Sequence, residues 1–163
     1  MMNTDSMIKS CCFSGHRSLP YEKTSEIRKR LLETIKELAE NGCTEFVSGG
    51  AVGFDLMAAE AVLEIKREHP QISLVMALPC RDQHIKMRQR DKNKYQRILE
   101  SADEVIYLCE SYVTGCMHLR NKYMVKRCDF CVAYLENRSS GTGYTVECAK
   151  ALGKGILNLA YMV

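Results

Sequence analysis

The stretch Thr44-Glu45-Phe46-Val47-Ser48-Gly49-Gly50-Ala51-Val52-Gly53-Phe54-Asp55 decides the fold of this protein. Its first part, Thr44–Ser48, is a short apolar run of the kind that forms a buried strand. Three glycines follow, and the largely apolar start of the segment Phe54–Arg67 then predicts a partly buried helix. A strand, a short turn and a helix in this order are the repeating unit of parallel α/β sheets.

The same alternation of short apolar runs and longer amphipathic segments continues in both directions along the chain. Several runs are apolar at nearly every position, as strands covered on both faces should be. In the first helical segment Ile27, Leu31, Ile35 and Leu38 form one apolar stripe, which ends at Asn41-Gly42. The other predicted strands are Ile8–Ser14, Ile72–Leu78, Glu104–Cys109, Asp129–Leu135 and Gly155–Ala160, and the other predicted helices are Gln83–Ser101, Cys116–Arg127 and Thr142–Leu152. We therefore expect one α/β domain over residues 1–163, with a parallel sheet between two layers of helices.

Composition and charge exclude several classes of protein. Hydrophobic residues make up 46% and charged residues 26% of the 163 residues, which is ordinary globular usage and argues against a disordered chain. No apolar segment approaches the ~20 residues needed to cross a bilayer, so no membrane partner is expected. The net charge of +3 permits anionic ligands without demanding nucleic acid.

The nine cysteines do not form the pattern of a disulfide framework. They are scattered, odd in number and mostly lie in apolar runs, and the adjacent Cys11 and Cys12 should face opposite sides of a strand. Cys128-x-x-Cys131 has no second pair to complete a zinc site. Because the start at Met1–Ser6 is polar and lacks the pattern of a secretory signal, we expect a cytoplasmic protein with free thiols, no metal and no cofactor.

Ligands of such sheets bind beside the carboxyl ends of the strands, so the residues that follow each strand are the candidate site. After the first strand, Ser14-Gly15-His16-Arg17 is either a tight turn with two solvated side chains or an anion site. After the second, the glycine cluster Ser48–Gly53 precedes a helix, whose N-terminal N–H groups favour phosphate. Its spacing matches neither a Walker A loop nor a dinucleotide fingerprint. Asp55 then either caps the helix or accepts a hydrogen bond from a ribose hydroxyl.

The segment Ser139–Glu147 repeats this arrangement of small residues before a helix. Thr142 and Thr145 offer hydroxyl groups. Glu147 is expected in the first helical turn, where the helix dipole favours its ionised form. There it either stabilises the helix or faces positive charge that develops on a substrate.

The predicted helix Cys116–Arg127 contributes two further candidates. Met117 and Met124 stand seven residues apart and are expected in the core. Arg120 and Asn121 lie between them near the start of the helix. An arginine there is more often a surface cation than a site residue.

The segment Arg81–Arg97 is strongly basic, with seven Lys and Arg residues against two Asp residues. A solvated helix face explains this pattern most simply. A nucleic-acid backbone is the alternative partner that such a segment permits.

Taken together, the residues that follow the predicted strands resemble those of the SLOG superfamily, a group of Rossmann-like proteins that bind nucleotide-derived ligands. The resemblance is strongest to its small bacterial YpsA-type branch. The superfamily includes the DNA-processing protein A family and the LONELY GUY phosphoribohydrolases, which cleave the N-glycosidic bond of a nucleoside monophosphate. The resemblance implies a Rossmann-like fold and a nucleotide-derived ligand. It also implies a homodimer or larger assembly, formed through helices beside the site, for which Met117, Met124 and Tyr123 offer a surface. The matching stretches are Ser14–Arg17, Ser48–Asp55, Ala77–Cys80, Arg120-Asn121 and Gly141–Glu147.

The comparison with the phosphoribohydrolases assigns specific roles. Arg120 takes the place of their catalytic arginine and Glu147 that of their catalytic glutamate, while Asn121 and Tyr144 stand where those enzymes carry Lys and Thr. Ligand binding with no assigned reaction is the main hypothesis. N-glycosidic hydrolysis by Arg120 and Glu147 and association with nucleic acid through residues 81–97 are the alternatives. The predicted ligand-binding residues are Ser14, Gly15, His16, Arg17, Ser48, Gly49, Gly50, Gly53, Asp55, Asn121, Gly141, Thr142, Gly143 and Thr145, and the glycines among them are expected to line one cleft.

Overall fold

Strands and helices alternate along residues 7–163, the part of the chain that the computed structural model describes. Residues 1–6, on which the prediction about a secretory signal rests, lie outside the described residues. Two short 3₁₀ segments, Tyr21–Lys23 and Leu159–Tyr161, complete the described elements. The strands are β1 (Ser10–Gly15), β2 (Glu45–Ser48), β3 (Ser73–Leu78), β4 (Glu104–Tyr107), β5 (Phe130–Tyr134) and β6 (Gly155–Asn158), and the helices are α1 (Thr24–Glu40), α2 (Phe54–Lys66), α3 (Gln89–Ser101), α4 (Cys116–Arg127) and α5 (Gly141–Ala151).

The six strands form one sheet in the order β4-β3-β2-β1-β5-β6, and every neighbouring pair is parallel. The chain runs outward from β1 to β4 and then returns to place β5 on the other side of β1. In register, Cys12 lies opposite Val47 of β2 and Cys131 of β5. The predicted Rossmann-like parallel fold is confirmed, and its topological switch point lies at β1, where such folds place their ligands.

Two separate cores explain the apolar character of the central strands. On one face, Cys11 and Phe13 pack with buried residues of α1, α2 and α3. On the other face, Cys12 packs with Met124 of α4 and Val146 of α5. Successive strand residues therefore enter opposite cores, as the sequence predicts for Cys11 and Cys12.

The largest difference from the predicted elements lies before α3, which begins at Gln89 rather than at position 83. Tertiary hydrogen bonds hold the preceding residues in turns. The Asp82 carboxylate accepts the Tyr112 N–H at 3.0 Å, and the Gln83 amide donates to the Gly49 carbonyl at 3.3 Å. These long-range hydrogen bonds override the local helical pattern. This is common because the intrinsic helix propensity of a residue contributes little free energy compared with tertiary contacts.

No helix within residues 7–163 combines the length and the apolar character that crossing a bilayer requires. All nine cysteines fall in this range and none is paired in a disulfide. No set of three Cys, His, Asp or Glu side chains in the same range has the arrangement of a metal site.

Candidate functional site

A cleft of about 550 Å³ opens at the switch point, beside the carboxyl ends of β1 and β5. Its walls come from the loop after β1 and from the beginnings of α2, α4 and α5, so three helix N-termini meet at one place. The volume falls within the usual range of small-molecule sites. The lining residues are Ser14, Gly15, His16, Arg17, Ala51, Asp55, Met117, His118, Arg120, Asn121, Ser139, Ser140, Gly141, Thr142 and Tyr144.

The loop after β1 is tied to the loop after β5 through His16. The Nε2 atom of His16 accepts the backbone N–H groups of Glu136 at 2.9 Å and Asn137 at 3.2 Å. An Nε2 atom that accepts carries no proton, so only the Nδ1 side of the ring can donate to an anion. Its observed role is to position the loop that leads into α5. The neighbouring Arg17 is exposed and lines the cleft.

Asp55, in the first turn of α2, places a buried carboxyl group in the cleft wall. It is 5% exposed, and its Oδ1 atom has no hydrogen-bond partner among the described residues. Burial raises the pKa of this carboxyl from 3.8 to about 6, and the positive charge of nearby Arg120 keeps the rise from being larger. Among the described residues that line the cleft, Asp55 is the only one with a carboxyl side chain.

Arg120, in the first half of α4, is a buried cation held from several sides. It is 4% exposed, and its Nε atom donates to Asn121 Oδ1 at 2.7 Å. Its Nη1 atom donates to the Gly49 carbonyl, and its Nη2 atom lies 3.7 Å from Met117 Sδ. Burial lowers the pKa of Arg120, but an arginine stays charged at neutral pH. The cleft therefore carries a fixed positive charge beside the Asp55 carboxyl.

The N-terminus of α5 has the features of an anion site. Ser140 caps the helix by accepting the Gly143 N–H at 3.2 Å, while its hydroxyl donates to the Asn137 carbonyl at 2.5 Å. The backbone N–H groups of Gly141 and Thr142 have no partner among the hydrogen bonds formed by residues 7–163. Free N–H groups at a helix N-terminus carry partial positive charge and bind phosphate groups.

Two aromatic rings lie together in the wall between α4 and α5. The ring centroids of His118 and Tyr144 are 4.3 Å apart, and the ring planes meet at 64°. His118 is exposed and Tyr144 is partly exposed. Neither residue is among those predicted for the site from the sequence. His118 stands three residues before the predicted Asn121, so the two share a face of α4, and this spacing is the signal in the sequence that identifies His118.

Most of the predicted glycines serve close packing behind the cleft rather than its surface. A Cβ atom at Gly53 would collide with the Arg17 carbonyl, and one at Gly143 would collide with the Arg138 carbonyl. Gly50 has a φ of +72° and abuts Leu78, Met76 and Tyr95. Gly15 and Gly141 line the cleft, whereas Gly49, Gly50, Gly53 and Gly143 lie behind its surface.

Three other predicted residues also lie outside the lining. The Ser48 hydroxyl donates to the Asp55 carbonyl at 2.8 Å, and the Thr145 hydroxyl donates to the Gly141 carbonyl at 3.0 Å, so both brace the start of a helix. Glu147 lies six residues after the first residue of α5, not in its first turn. Its side chain is 72% exposed, lies 3.5 Å from Lys150 and faces a different groove. The structure therefore does not bring Glu147 to Arg120.

The methionine pair on α4 does not form an exposed surface. Met124 is 1% exposed in the core, as predicted, whereas Met117 lines the cleft beside Arg120. The partly buried Tyr123 accepts a hydrogen bond from Arg127 Nη1 at 2.9 Å. A dimer surface built on Met117 and Met124 is therefore wrong, because one of the two is covered by its own sheet.

This combination of a Rossmann-like sheet and a cleft at its switch point agrees with the comparison with known families. The model of the YpsA family, described as the YspA SLOG family, matches residues 13–154, and the chain belongs to this family. The matched segment contains every residue that lines the cleft.

Individual relatives support the same assignment. The chain is 33% identical over 139 residues to a UPF0398 protein of Halalkalibacterium halodurans, covering 83% of this chain and 71% of that protein. It is 30% identical over 138 residues to the SPβ prophage-derived protein YoqJ of Bacillus subtilis, covering 77% of this chain and 81% of the relative. Among solved structures, DNA processing protein A of Helicobacter pylori superposes with a TM-score of 0.67 at 21% identity, over 94% of this chain and 67% of that one. This last likeness shows the fold.

Proposed function

We propose that this protein binds a small nucleotide-derived ligand in the cleft at the switch point. The phosphate would lie against the free N–H groups of Gly141 and Thr142, within reach of Arg17 and Arg120. A sugar hydroxyl would donate to the Asp55 carboxyl group, which lines the cleft. The family assignment and the position of the cleft support this proposal.

The observation that carries the proposal is the unpartnered Asp55 oxygen beside a buried arginine. A buried acceptor without a hydrogen bond is destabilising, and native proteins rarely keep one without a use. A ligand hydroxyl in the cleft supplies a further donor to this carboxyl group. A ligand that carries both a hydroxyl and a phosphate uses the carboxyl and the cations of the same cleft together.

A calorimetric titration tests this proposal. Adenosine 5′-monophosphate, ribose 5-phosphate and ADP-ribose are titrated into the wild type and into Arg17→Ala, a change at an exposed side chain that leaves the core intact. We expect at least one of these compounds to bind, and Arg17→Ala to weaken its binding about tenfold or more, as loss of a charge-assisted hydrogen bond does. Absence of binding by all three, or equal binding by the variant, contradicts the proposal.

Nucleic acid is the second candidate partner, because the cleft continues toward the basic segment. A smaller cavity of about 150 Å³ shares Arg17, Ala51 and Met117 with the main cleft and reaches Lys86. The DNA processing protein A of H. pylori, which has a similar fold, binds single-stranded DNA. A continuous groove lined by cations suits a single strand.

Fluorescence polarisation with a labelled oligo-dT tests this second function. Binding through phosphates should weaken steeply with salt, and Lys86→Ala should weaken it and reduce the salt slope by about one. Lys154→Ala, on the turn before β6, is a matched control that should bind as the wild type does. Absence of binding at low salt contradicts the second function and leaves the first untouched.

We further propose a cytoplasmic location, which the nine unpaired thiols support.

We also propose a homodimer or larger assembly, which the family resemblance implies. Light scattering over a wide concentration range tests the assembly. A monomeric mass throughout contradicts it.

A further inference from the structure

We infer that His118 and Tyr144 form a platform for an aromatic base, so that the ligand of the cleft is a nucleoside phosphate rather than a sugar phosphate. The inference rests on the proposed function. That function assigns the phosphate to the cations and the sugar to Asp55, and the base is the part of the ligand that these groups do not contact.

The two rings occupy the wall where α4 and α5 approach each other. His118 precedes the buried Arg120 by two residues, and Tyr144 follows Thr142 by two residues. Both residues therefore belong to the first turns of the two helices whose starts form this end of the cleft. Both rings line the same cleft as Arg120 and Thr142. One ligand in a cavity of about 550 Å³ can therefore contact both the groups at the helix starts and the rings.

The arrangement of the rings favours an aromatic partner. The edge-to-face contact at 4.3 Å and 64° fixes the two rings against each other and leaves aromatic surface of both open to the cleft. Every base offers a π-face, and stacking on aromatic side chains is the usual way in which proteins bind unpaired bases.

A purely structural role is the competing explanation, in which the pair only packs α4 against α5. The two explanations differ in what they predict for ligands. A packing contact affects stability and every ligand alike, whereas a base platform affects only ligands that carry a base.

The test compares adenosine 5′-monophosphate with ribose 5-phosphate, which shares its sugar and phosphate but lacks the base. Calorimetric titrations use the wild type, His118→Ala, Tyr144→Ala and Tyr144→Phe, which keeps the ring. Tyr112→Ala is the matched control, because Tyr112 is 61% exposed and does not line the cleft.

We expect the wild type to bind the nucleotide about 10- to 100-fold more tightly than ribose 5-phosphate, the range usual for one stacked base. His118→Ala and Tyr144→Ala should reduce this preference and leave the affinity for ribose 5-phosphate unchanged. Tyr144→Phe and Tyr112→Ala should keep the wild-type preference.

The outcomes that overturn the inference are distinct from those that overturn the proposed function. Equal affinity of the wild type for both compounds, or an equal loss for both in the alanine variants, overturns the base platform while the phosphate site stands. If neither compound binds the wild type, the proposed function fails and the base platform fails with it.

Discussion

The carbonyl oxygen of Gly49 accepts a hydrogen bond from Arg120, and a Cβ atom added to Gly49 would lie 2.5 Å from Arg120 Nη1. The glycine after β2 thus provides space for a guanidinium group that reaches it from α4. The same contact satisfies a buried carbonyl group and fixes the position of the cation in the cleft. In the sequence this glycine cluster resembles a phosphate-binding loop. In the structure its Gly49 instead makes room for Arg120 and holds that cation in the cleft wall.

Replacing Gly49 by Ala should displace the Arg120 guanidinium. We expect a loss of about 1–3 kcal/mol in the free energy of unfolding, the usual range for overpacking a buried site, and weaker binding of any phosphorylated ligand. Chemical denaturation and calorimetry measure the two effects. Gly141→Ala is the matched control for stability, because a Cβ atom at Gly141 meets no atom within 4 Å. Equal stability of the two variants would show that Arg120 moves aside freely.

The buried carboxyl of Asp55 should make stability depend on pH in a defined direction. Because its pKa rises from 3.8 to about 6 on folding, the folded protein holds this proton more tightly than the unfolded chain does. The stabilising contribution is complete below about pH 4 and disappears as the pH rises through about 6. Asn does not titrate, so the free energy of unfolding of Asp55→Asn should rise relative to that of the wild type as the pH increases. We expect this relative rise to be about 2–3 kcal/mol between pH 4 and pH 7.

Urea denaturation of the two proteins at several pH values measures this difference. The comparison cancels the contributions of groups that titrate alike in both proteins. A constant difference between wild type and variant across this range would mean that Asp55 is as well solvated in the folded state as in the unfolded chain.

The fold is largely predictable from the sequence because its determinants are local. Apolar runs such as Ser73–Leu78 have buried residues on both faces, and their β-propensity agrees with the tertiary structure. The end of the sequence-predicted helix Gln83–Ser101 is confirmed, but its start is not. Asp82 and Gln83 find hydrogen-bond partners at Tyr112 and Gly49, far away in the sequence, and no local pattern contains that information.

The candidate site is predictable in its location but only partly in its residues. Strand ends identify Arg17, Asp55 and Thr142, because the parallel topology brings all strand ends to one edge. They do not show which residues line the cleft and which support it from behind. Gly143 follows the same motif as Gly141, yet it is buried against the Arg138 carbonyl. That distinction depends on the packing of the loop before α5.

His16 should control the order of the loop that leads to α5. In His16→Phe the ring can still pack near Tyr134, whose centroid lies 6.2 Å from that of His16, but the acceptor for two backbone N–H groups is lost. We expect faster amide hydrogen exchange at Glu136 and Asn137 and about 1 kcal/mol less stability, because these groups then bond to water. Exchange at Ser139 and Ser140, whose N–H groups donate to Asn137, should also accelerate, and exchange within β3 serves as the internal control. Unchanged protection at Glu136 and Asn137 would show that other contacts hold the loop.

Glu147 provides a direct test of how far the phosphoribohydrolase resemblance extends. Its carboxylate is 72% exposed, lies beside Lys150 and faces away from the cleft, so Glu147→Gln should leave ligand affinity unchanged and stability within about 0.5 kcal/mol. Arg17→Ala, which removes a cation that lines the cleft, should weaken the same ligand. Calorimetric titration with adenosine 5′-monophosphate compares the two variants. A loss of affinity in Glu147→Gln as large as that in Arg17→Ala would mean that Glu147 reaches the ligand from a position other than its place beside Lys150. The hydrolytic pair of Arg120 and Glu147 would then regain its physical basis.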